Sequence, residues 1–583
     1  MALKFIKKYL APYKLMFGLG LVVVTITSAL NMIVPYLSGV IVENVIKKHM
    51  MNLLIPYMII ILSVTLVRSL LRYGFILNFE NISQNIIYKI RQDLYNSIQT
   101  LDAKFYDKTR TGDIMSKLTG DVDAVRHFIA YVVYNVYENA LIFIFGLAIM
   151  FYINFRFALI VFVITIPTAY IARRLAVEVK PTFTRIRTQF SKLNTVVEEN
   201  ISGNKVVKAF AKENYEIEKF QKANVKFKER NIESSNVWCK YLPVLEFLSG
   251  SLNIVTIIIG GYMVIKNSLT IGELITFNSL IFTVNNPIRM SGWLINDIQR
   301  FSACSEKILE ILKAKPEIYN KPNAIEKSSL SGSIEFKDVC FSYDDTEVLH
   351  NINLKINSGE TIGIMGATGA GKTSFINLLC RFYDCTSGSI LIDGENIKKY
   401  NLQNLRGHIG ISMQDIFLFS DTIEGNIAYG MPDAPFEDAK KASSLAQAHG
   451  FINELPESYD TIIGERGVGL SGGQKQRISL ARALMRNPDI LILDDTTSAV
   501  DMETEHEIQK GLKNYSSKRT TFIIAHRISS VKNSDKIIVL DEGKIVELGN
   551  HEQLMKNKSY YYDIYMSQLG NSEQELKEVV SNG

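Results

Sequence analysis

The stretch Gly366-Ala367-Thr368-Gly369-Ala370-Gly371-Lys372-Thr373-Ser374 decides how the chain is read. Two glycines with four residues between them, followed by Lys-Thr, form the pattern of a phosphate-binding loop. The apolar run Thr361–Met365 before it predicts a buried strand, and Phe375–Arg381 after it predicts the start of a helix. That context is what the loop requires. Glycines let backbone N–H groups turn inward around a phosphate, and a helix N-terminus adds the positive end of its dipole. Lys372 would reach the outer phosphates, and the Thr373 hydroxyl would ligate a divalent cation.

Working outward, 583 residues exceed one ordinary core, so two or more domains are expected. A net charge of +5 is small for this length and does not indicate a nucleic-acid binder. Long uncharged stretches lie in the first half only. The cysteines, Cys239, Cys304, Cys340, Cys380 and Cys385, have no zinc-site spacing and read as small apolar residues of a reducing compartment. The first apolar run continues past signal-peptide length, so no cleavable signal is expected.

The first half reads as a membrane domain. Met1–Tyr13 mixes Phe5, Tyr9 and Leu10 with lysines, as an amphipathic helix on the cytoplasmic membrane surface would. Leu15–Val42 is uncharged and longer than the roughly 20 residues that span a bilayer. Further spans are expected at Met51–Val67, Asn139–Phe155, Phe157–Ala172, Phe247–Ile265 and Leu274–Ile288, the last being the weakest. Between spans two and three, and four and five, run long Lys/Arg-rich helical segments. Basic loops favour the cytoplasm, so the N-terminus, both segments and the C-terminal half are expected inside. The two hairpins should have tips near Phe105–Gly112 and Gly203–Glu213. Arg68, Arg72, Glu138 and Glu246 lie near span ends, where snorkelling competes with substrate contact. Tyr131, Tyr134 and Tyr137 fit either a cavity face or an interfacial aromatic belt.

The second half alternates short apolar runs with helical stretches, which argues an α/β domain with a largely parallel sheet. Expected strands include Glu335–Tyr343, Val348–Ile356, Gly388–Asp393, Ile490–Asp495 and Thr520–Ala525; Lys536–Leu540 and Lys544–Glu547 flank a hairpin turn. Ile490–Asp494 is an apolar run ending in a carboxylate. Leu470-Ser471-Gly472-Gly473-Gln474 opens a helix with small residues, a second place where N–H groups meet an anion. His526 follows an apolar strand and is within reason a phosphate partner or simply structural.

Taken in order, Gly366–Thr373, Gln414, Leu470–Gln474, Ile490–Asp494, Ser498–Asp501 and His526 resemble the Walker A, Q-loop, signature, Walker B, D-loop and switch-histidine elements of ATP-binding cassette (ABC) proteins. With six spans before one cassette, the chain resembles an ABC exporter half-transporter over nearly its whole length. The resemblance implies a helical six-span transmembrane domain over residues 1–305, a linker over 306–332, an α/β P-loop ATPase domain over 333–570 and a tail over 571–583. It implies ATP held by Gly366, Ala367, Thr368, Gly369, Ala370, Gly371, Lys372, Thr373 and Ser374, with Tyr343 stacked on adenine. Mg²⁺ would be held by Thr373, Gln414 and Asp494. Asp495, His526 and Gln414 would carry catalysis. Ser471, Gly472, Gly473, Gln474 and Asp501 would face nucleotide across a dimer, and Thr461–Gly467 would meet the hairpin tips.

One position departs from the family pattern. After the Walker B aspartate the family usually carries Glu, which positions the attacking water; here it is Asp495. The side chain is one methylene shorter, and a misplacement of about 1 Å can cost on the order of a hundredfold in rate. An intact signature beside an impaired Walker B resembles one subunit of a heterodimeric exporter, with a homodimer as the alternative. The expected cargo is an amphipathic, drug-like or lipid-like compound, moved across a bacterial plasma membrane. The competing reading is a regulatory or channel-like subunit that binds ATP to gate. Six spans argue against a soluble cassette protein.

Overall fold

A computed structural model describes residues 2–464, 467–516 and 519–570. The chain divides into two compact units. One comprises residues 1–100 and 109–314, the other residues 101–108 and 315 onward.

The first unit is helical. Its main helices are α1 (Lys14–Asn31), α2 (Leu54–Thr100), α3 (Val133–Ile153), α4 (Phe155–Ser202), α5 (Glu213–Ile265) and α6 (Ile271–Lys313). Among the described residues, five helices are long and apolar enough to cross a membrane. They begin at Ala2, Met51, Thr111, Phe155 and Glu213. The sixth expected span lies in α6, which does not meet that test. Its first turns carry Glu273, Thr276, Asn278, Thr283, Asn285 and Asn286. It nevertheless belongs to the bundle: Phe277, Leu280, Ile281 and Val284 share a buried core with Met32, Met150, Phe157 and Leu252. The helix Ile33–Ile41 meets α6 backbone to backbone. A Cβ on Gly39 would sit 2.1 Å from the Gly272 carbonyl oxygen, and one on Gly272 would sit 2.4 Å from the Gly39 oxygen. Only glycine at both positions permits that approach.

Several polar expectations resolve here. Tyr134 is buried against Phe75 and Phe79, and the Tyr137 hydroxyl lies 2.9 Å from that of Thr25. Tyr134 thus packs inside the bundle, Tyr137 is half-buried beside it and Tyr131 is exposed. Arg68 donates to the Asn31 side chain. The N-terminal helix Ala2–Leu10 buries Phe5, Ile6 and Tyr9, and the Tyr9 hydroxyl donates to Asp93 at 2.8 Å. Helix α6 continues to Lys313, so the segment expected as linker from residue 306 starts as helix.

The hairpin tips are short helices, Ala103–Lys108 and Asn204–Ala209. The first belongs to the second unit. Lys104 pairs with Glu317 at 2.7 Å, Lys108 pairs with Asp344 at 2.6 Å, and Tyr383 donates to Asp107.

That second unit contains the largely parallel sheet expected and, beside it, an antiparallel one. An antiparallel sheet runs β2-β1-β4-β5 from β1 (Ile334–Tyr343), β2 (Thr346–Ile356), β4 (Ser387–Ile392) and β5 (Glu395–Asn396). The other is ordered β10-β9-β3-β8-β7-β6, from β3 (Thr361–Gly366), β6 (Ile409–Ser412), β7 (Ile490–Asp494), β8 (Thr520–Ile524), β9 (Lys536–Asp541) and β10 (Lys544–Gly549). All its pairings are parallel except β9–β10. β7 is buried at every position, as an apolar run covered on both faces must be. A shared core of Phe336, Ile364, Phe375 and Phe522 joins the two sheets. The helices that matter below are α7 (Lys372–Leu379), α8 (Gly472–Met485) and α9 (Met502–Ser516).

Candidate nucleotide-binding site

The carboxyl ends of β3, β6, β7 and β8 lie along one edge of the parallel sheet. In open α/β sheets that edge is where ligands bind. The loop 366–371 leaves β3 and turns into α7. Gly366, Gly369 and Gly371 take φ values of +151°, +86° and +96°, which side chains rarely adopt. A Cβ on Gly366 would also sit 2.2 Å from the Leu540 carbonyl oxygen. Lys372 begins α7 and is buried. Its Nζ donates to the carbonyls of Gly366 and Ala367 at 2.8 and 2.9 Å, so it folds back over its own loop. Thr373 is exposed beside it, and the Tyr343 hydroxyl lies 3.5 Å from Ser374 Oγ and 3.3 Å from Asn377 Nδ2.

Strand register brings the remaining residues to this edge. Ser412 pairs with Leu493, and Asp494 pairs with Ile524. Gln414 therefore follows β6, Asp495 follows β7 and His526 follows β8 at about the same level. Gln414 and His526 are exposed. Asp494 is buried, and burial pushes its carboxyl up to about 6. The Asp495 charge adds to that rise, while Lys372 and His526 oppose it. Burial likewise lowers the Lys372 ammonium, against the pull of Asp494 and Asp495. The expected strand Ile490–Asp495 ends at Asp494. Asp495 itself has φ +50°, a left-handed conformation that Asp tolerates better than most residues. Its N–H donates to the Ile524 carbonyl at 2.9 Å.

The oxygen donors here suit Mg²⁺. Asp494 is a buried carboxylate whose charged form burial disfavours, with the Asp495 carboxylate adding to that effect, and oxygen donors of this kind favour a hard cation. Mg²⁺ when bound would neutralise phosphate charge, and Thr373, Asp494 and Gln414 are the residues that would hold it.

Ser471–Gln474 forms a second loop-to-helix junction. Ser471 caps α8, its Oγ accepting from the Gln474 N–H at 3.3 Å, and the Gln474 side chain accepts from the Ser471 N–H at 2.9 Å. The side chains of Ser471 and Gln474 are thus spent on each other. Gly472 and Gly473 have no side chain, and a Cβ on Gly473 would sit 2.8 Å from the Ala499 carbonyl oxygen. Asp501 caps the start of α9, accepting from the Thr504 N–H at 2.9 Å, which holds its carboxyl below the usual range. Of the stretch Thr461–Gly467, Glu465 and Arg466 lie outside the described residues, as does the tail 571–583.

Sequence reasoning missed Gln476. It is buried on α8, donates to the Asp495 carbonyl at 3.1 Å and to Ser498 Oγ at 2.9 Å, and accepts from the Ala499 N–H at 2.9 Å. One amide therefore ties the signature helix to the segment after Asp494. Its spacing two residues past Gln474 was the only sequence signal.

A glycine cradle opening a helix, with a buried carboxylate two strands away and a helical membrane unit in the same chain, defines a membrane-embedded P-loop ATPase. The sequence patterns of two regions match: the ABC transporter transmembrane region over residues 17–288 and the ABC transporter model over residues 349–498. The chain belongs to the ABC transporter family, as a half-transporter with one transmembrane domain fused to one ATPase domain. It is 40% identical over 564 residues to the uncharacterized ABC transporter ATP-binding protein YknU of Bacillus subtilis (strain 168), covering 96% of each chain. It is 35% identical over 562 residues to the ATP-dependent lipid A-core flippase of Syntrophus aciditrophicus (strain SB), covering 96% of this chain and 94% of the relative. It is 36% identical over 584 residues to a putative multidrug export ATP-binding/permease protein of Staphylococcus aureus (strain NCTC 8325 / PS 47), covering 97% and 100%. A bacterial Atm1-family ABC exporter solved with ATP bound superposes with a TM-score of 0.79 at 26% identity, covering 97% of this chain and 98% of that one. The protein is thus an integral membrane, ATP-binding exporter whose ATPase activity is coupled to export.

Proposed function

We propose that this chain is one half of a dimeric exporter of amphipathic, drug-like or lipid-like compounds, and that its own phosphate-loop site holds Mg-ATP longer than it cleaves it. The names of relatives, a lipid A-core flippase and multidrug export proteins, support that cargo class. The membrane would be a bacterial plasma membrane, with the N-terminus and ATPase domain cytoplasmic.

The observation that carries the slow site is Asp495. It stands where a water-positioning carboxylate must reach forward, and it is short and anchored through its N–H to Ile524. Binding depends on other residues: Lys372, the loop N–H groups and Thr373 hold phosphate and cation, while Tyr343 meets adenine. Gln414 and His526 touch the outer phosphate and the attacking water. The capped end of α8 supports a role across the dimer: Ser471, Gly472, Gly473 and Gln474, with Asp501, would complete the partner's site. A partner chain carrying Glu in place of Asp495 would then make that site fast.

The test is to purify this chain alone and together with a half-transporter of the same source that carries Glu at the position of Asp495, in lipid nanodiscs. Slow ATP turnover alone and fast turnover together are expected. Brisk hydrolysis by the lone chain, unaffected by Asp495→Asn, would sink the proposal.

A further inference from the structure

Glu505 is a buried carboxylate for which the site described above has no use. It lies in the first turn of α9, where the helix dipole favours negative charge. It is 5% exposed and receives donors from three separate segments. Thr497 Oγ1 at 3.0 Å, Ser530 Oγ at 2.7 Å and Gln509 Nε2 at 3.2 Å reach Oε1, and an Arg527 guanidinium nitrogen reaches Oε2 at 3.2 Å. The other Arg527 terminal nitrogen donates to the Ser498 carbonyl at 3.1 Å. Ser498 Oγ in turn meets the Asp495 carbonyl at 3.2 Å.

A carboxylate taken out of water costs several kcal/mol unless its lone pairs are filled, and here four donors fill them. The donors come from both sides of the reacting edge. Thr497 and Ser498 belong to the segment between Asp495 and Asp501. Arg527 and Ser530 belong to the loop that starts with His526. Those two segments leave different strands, β7 and β8, and each presents one group to the site.

We infer that Glu505 is a positioning residue for the ATPase reaction: it fixes the Asp495–Asp501 segment and the His526 loop in one relation. A shift of either segment moves the other through Glu505 and Arg527. The group that senses phosphate and the segment that faces the dimer partner are therefore held as one body. Nucleotide affinity resides elsewhere, in the loop 366–374. The inference rests on the chain being an ATPase and is independent of whether its site is slow.

The experiment compares the full chain in lipid nanodiscs with Glu505→Gln, Arg527→Met and the double variant. Glu505→Gln keeps the size and loses the charge that Arg527 faces. It should lower kcat by roughly ten- to a hundredfold, with KM for ATP changed by about twofold or less. Amide exchange should rise together in residues 495–501 and 526–531 and stay unchanged in 366–374. Arg527, whose guanidinium side is half exposed, should give the same pattern when replaced, and the double variant should be no worse than Glu505→Gln alone. Unchanged kcat, exchange rising in one segment only, or effects of the two single changes that multiply would each overturn it. Should Glu505→Gln not fold, Arg527→Met decides the matter. Should the parent chain turn over too slowly to measure, the paired exchange response decides it without turnover.

Discussion

The ATPase unit has two loop-to-helix junctions built for anions, and they differ in what surrounds them. Gly366–Ser374 turns inward. Its lysine is buried, folded on its own carbonyls, and electrostatically close to Asp494 and Asp495. Ser471–Gln474 turns outward: Ser471 and Gly472 are exposed, and its side-chain capping bonds are internal. The first junction has Lys372 and Thr373 on its own helix and, within its own unit, the carboxylates of Asp494 and Asp495. The second offers backbone donors and a helix dipole; Ser471–Gln474 itself contains no charged residue, with Lys475 and Arg477 following on α8. The same local physics thus yields an inward junction lined by charged groups in one place and an exposed one in the other, the contrast on which the proposed roles rest.

The sharpest way to break this contrast is at Lys372. Lys372→Ala removes the charge-assisted phosphate contact, and ATP affinity of the full chain should fall by roughly a hundredfold, as read by fluorescent-nucleotide titration. Equal loss from a change in Ser471–Gln474 would erase the distinction.

The second change is Gly473→Ala. The added methyl would meet the Ala499 carbonyl oxygen at 2.8 Å, and overpacking of that kind costs about 1–3 kcal/mol. This chain's own ATP affinity should stay within about twofold, while turnover of the assembled pair falls by about tenfold, because the shift is felt across the dimer. A loss of affinity in the lone chain would contradict the outward role.

The third prediction concerns pH at the inward junction. The Asp494 carboxyl titrates at about 6 in the fold and near 4 in an unfolded chain. The fold favours its neutral form, so that contribution is complete below pH 4 and is lost as pH rises through 6. Two units correspond to at most about 3 kcal/mol, less whatever solvent screens. Asp494→Asn should therefore raise the unfolding temperature of the nucleotide-free chain more at pH 8 than at pH 5, by calorimetry. Mg-ATP should erase the advantage, because Mg²⁺ supplies a positive partner for the buried Asp494 carboxylate.

The smallest effect is expected at the cap of α8. Ser471→Ala removes the side-chain acceptor for the Gln474 N–H, which costs about 1 kcal/mol. Unfolding should shift by a few degrees with ATP binding by the lone chain intact.

Much of this was legible in the sequence. The glycine loop before α7, the carboxylate-ended strand β7, the Ser-Gly-Gly opening of α8 and His526 after β8 are local patterns, each set by a few adjacent residues. What was not legible depends on distant pairings. β1 and β2 read as strands, but nothing local says that they join β4 and β5 in a sheet of their own. Asp495 extends an apolar run on paper; in the fold its left-handed backbone ends the strand. Glu505 sits in a stretch with Glu503 and Glu507 and reads as one more solvated charge, until Arg527 and Ser530 arrive from another strand. Short length and the interruption at Pro287 and Arg289 made the sixth span the weakest in the sequence, and in the fold α6 is held by apolar packing and by the Gly39–Gly272 contact.

The central claim is that the inward junction binds ATP well and cleaves it poorly because Asp495 is short. Single-turnover hydrolysis by the full chain in lipid nanodiscs, compared with Asp495→Glu under saturating Mg-ATP, tests it most directly. Unchanged ATP affinity with a cleavage rate raised by roughly tenfold or more is the predicted result. A rate left unchanged by Asp495→Glu, or a parent chain that already cleaves ATP fast and loses that activity in Asp495→Asn, would contradict it.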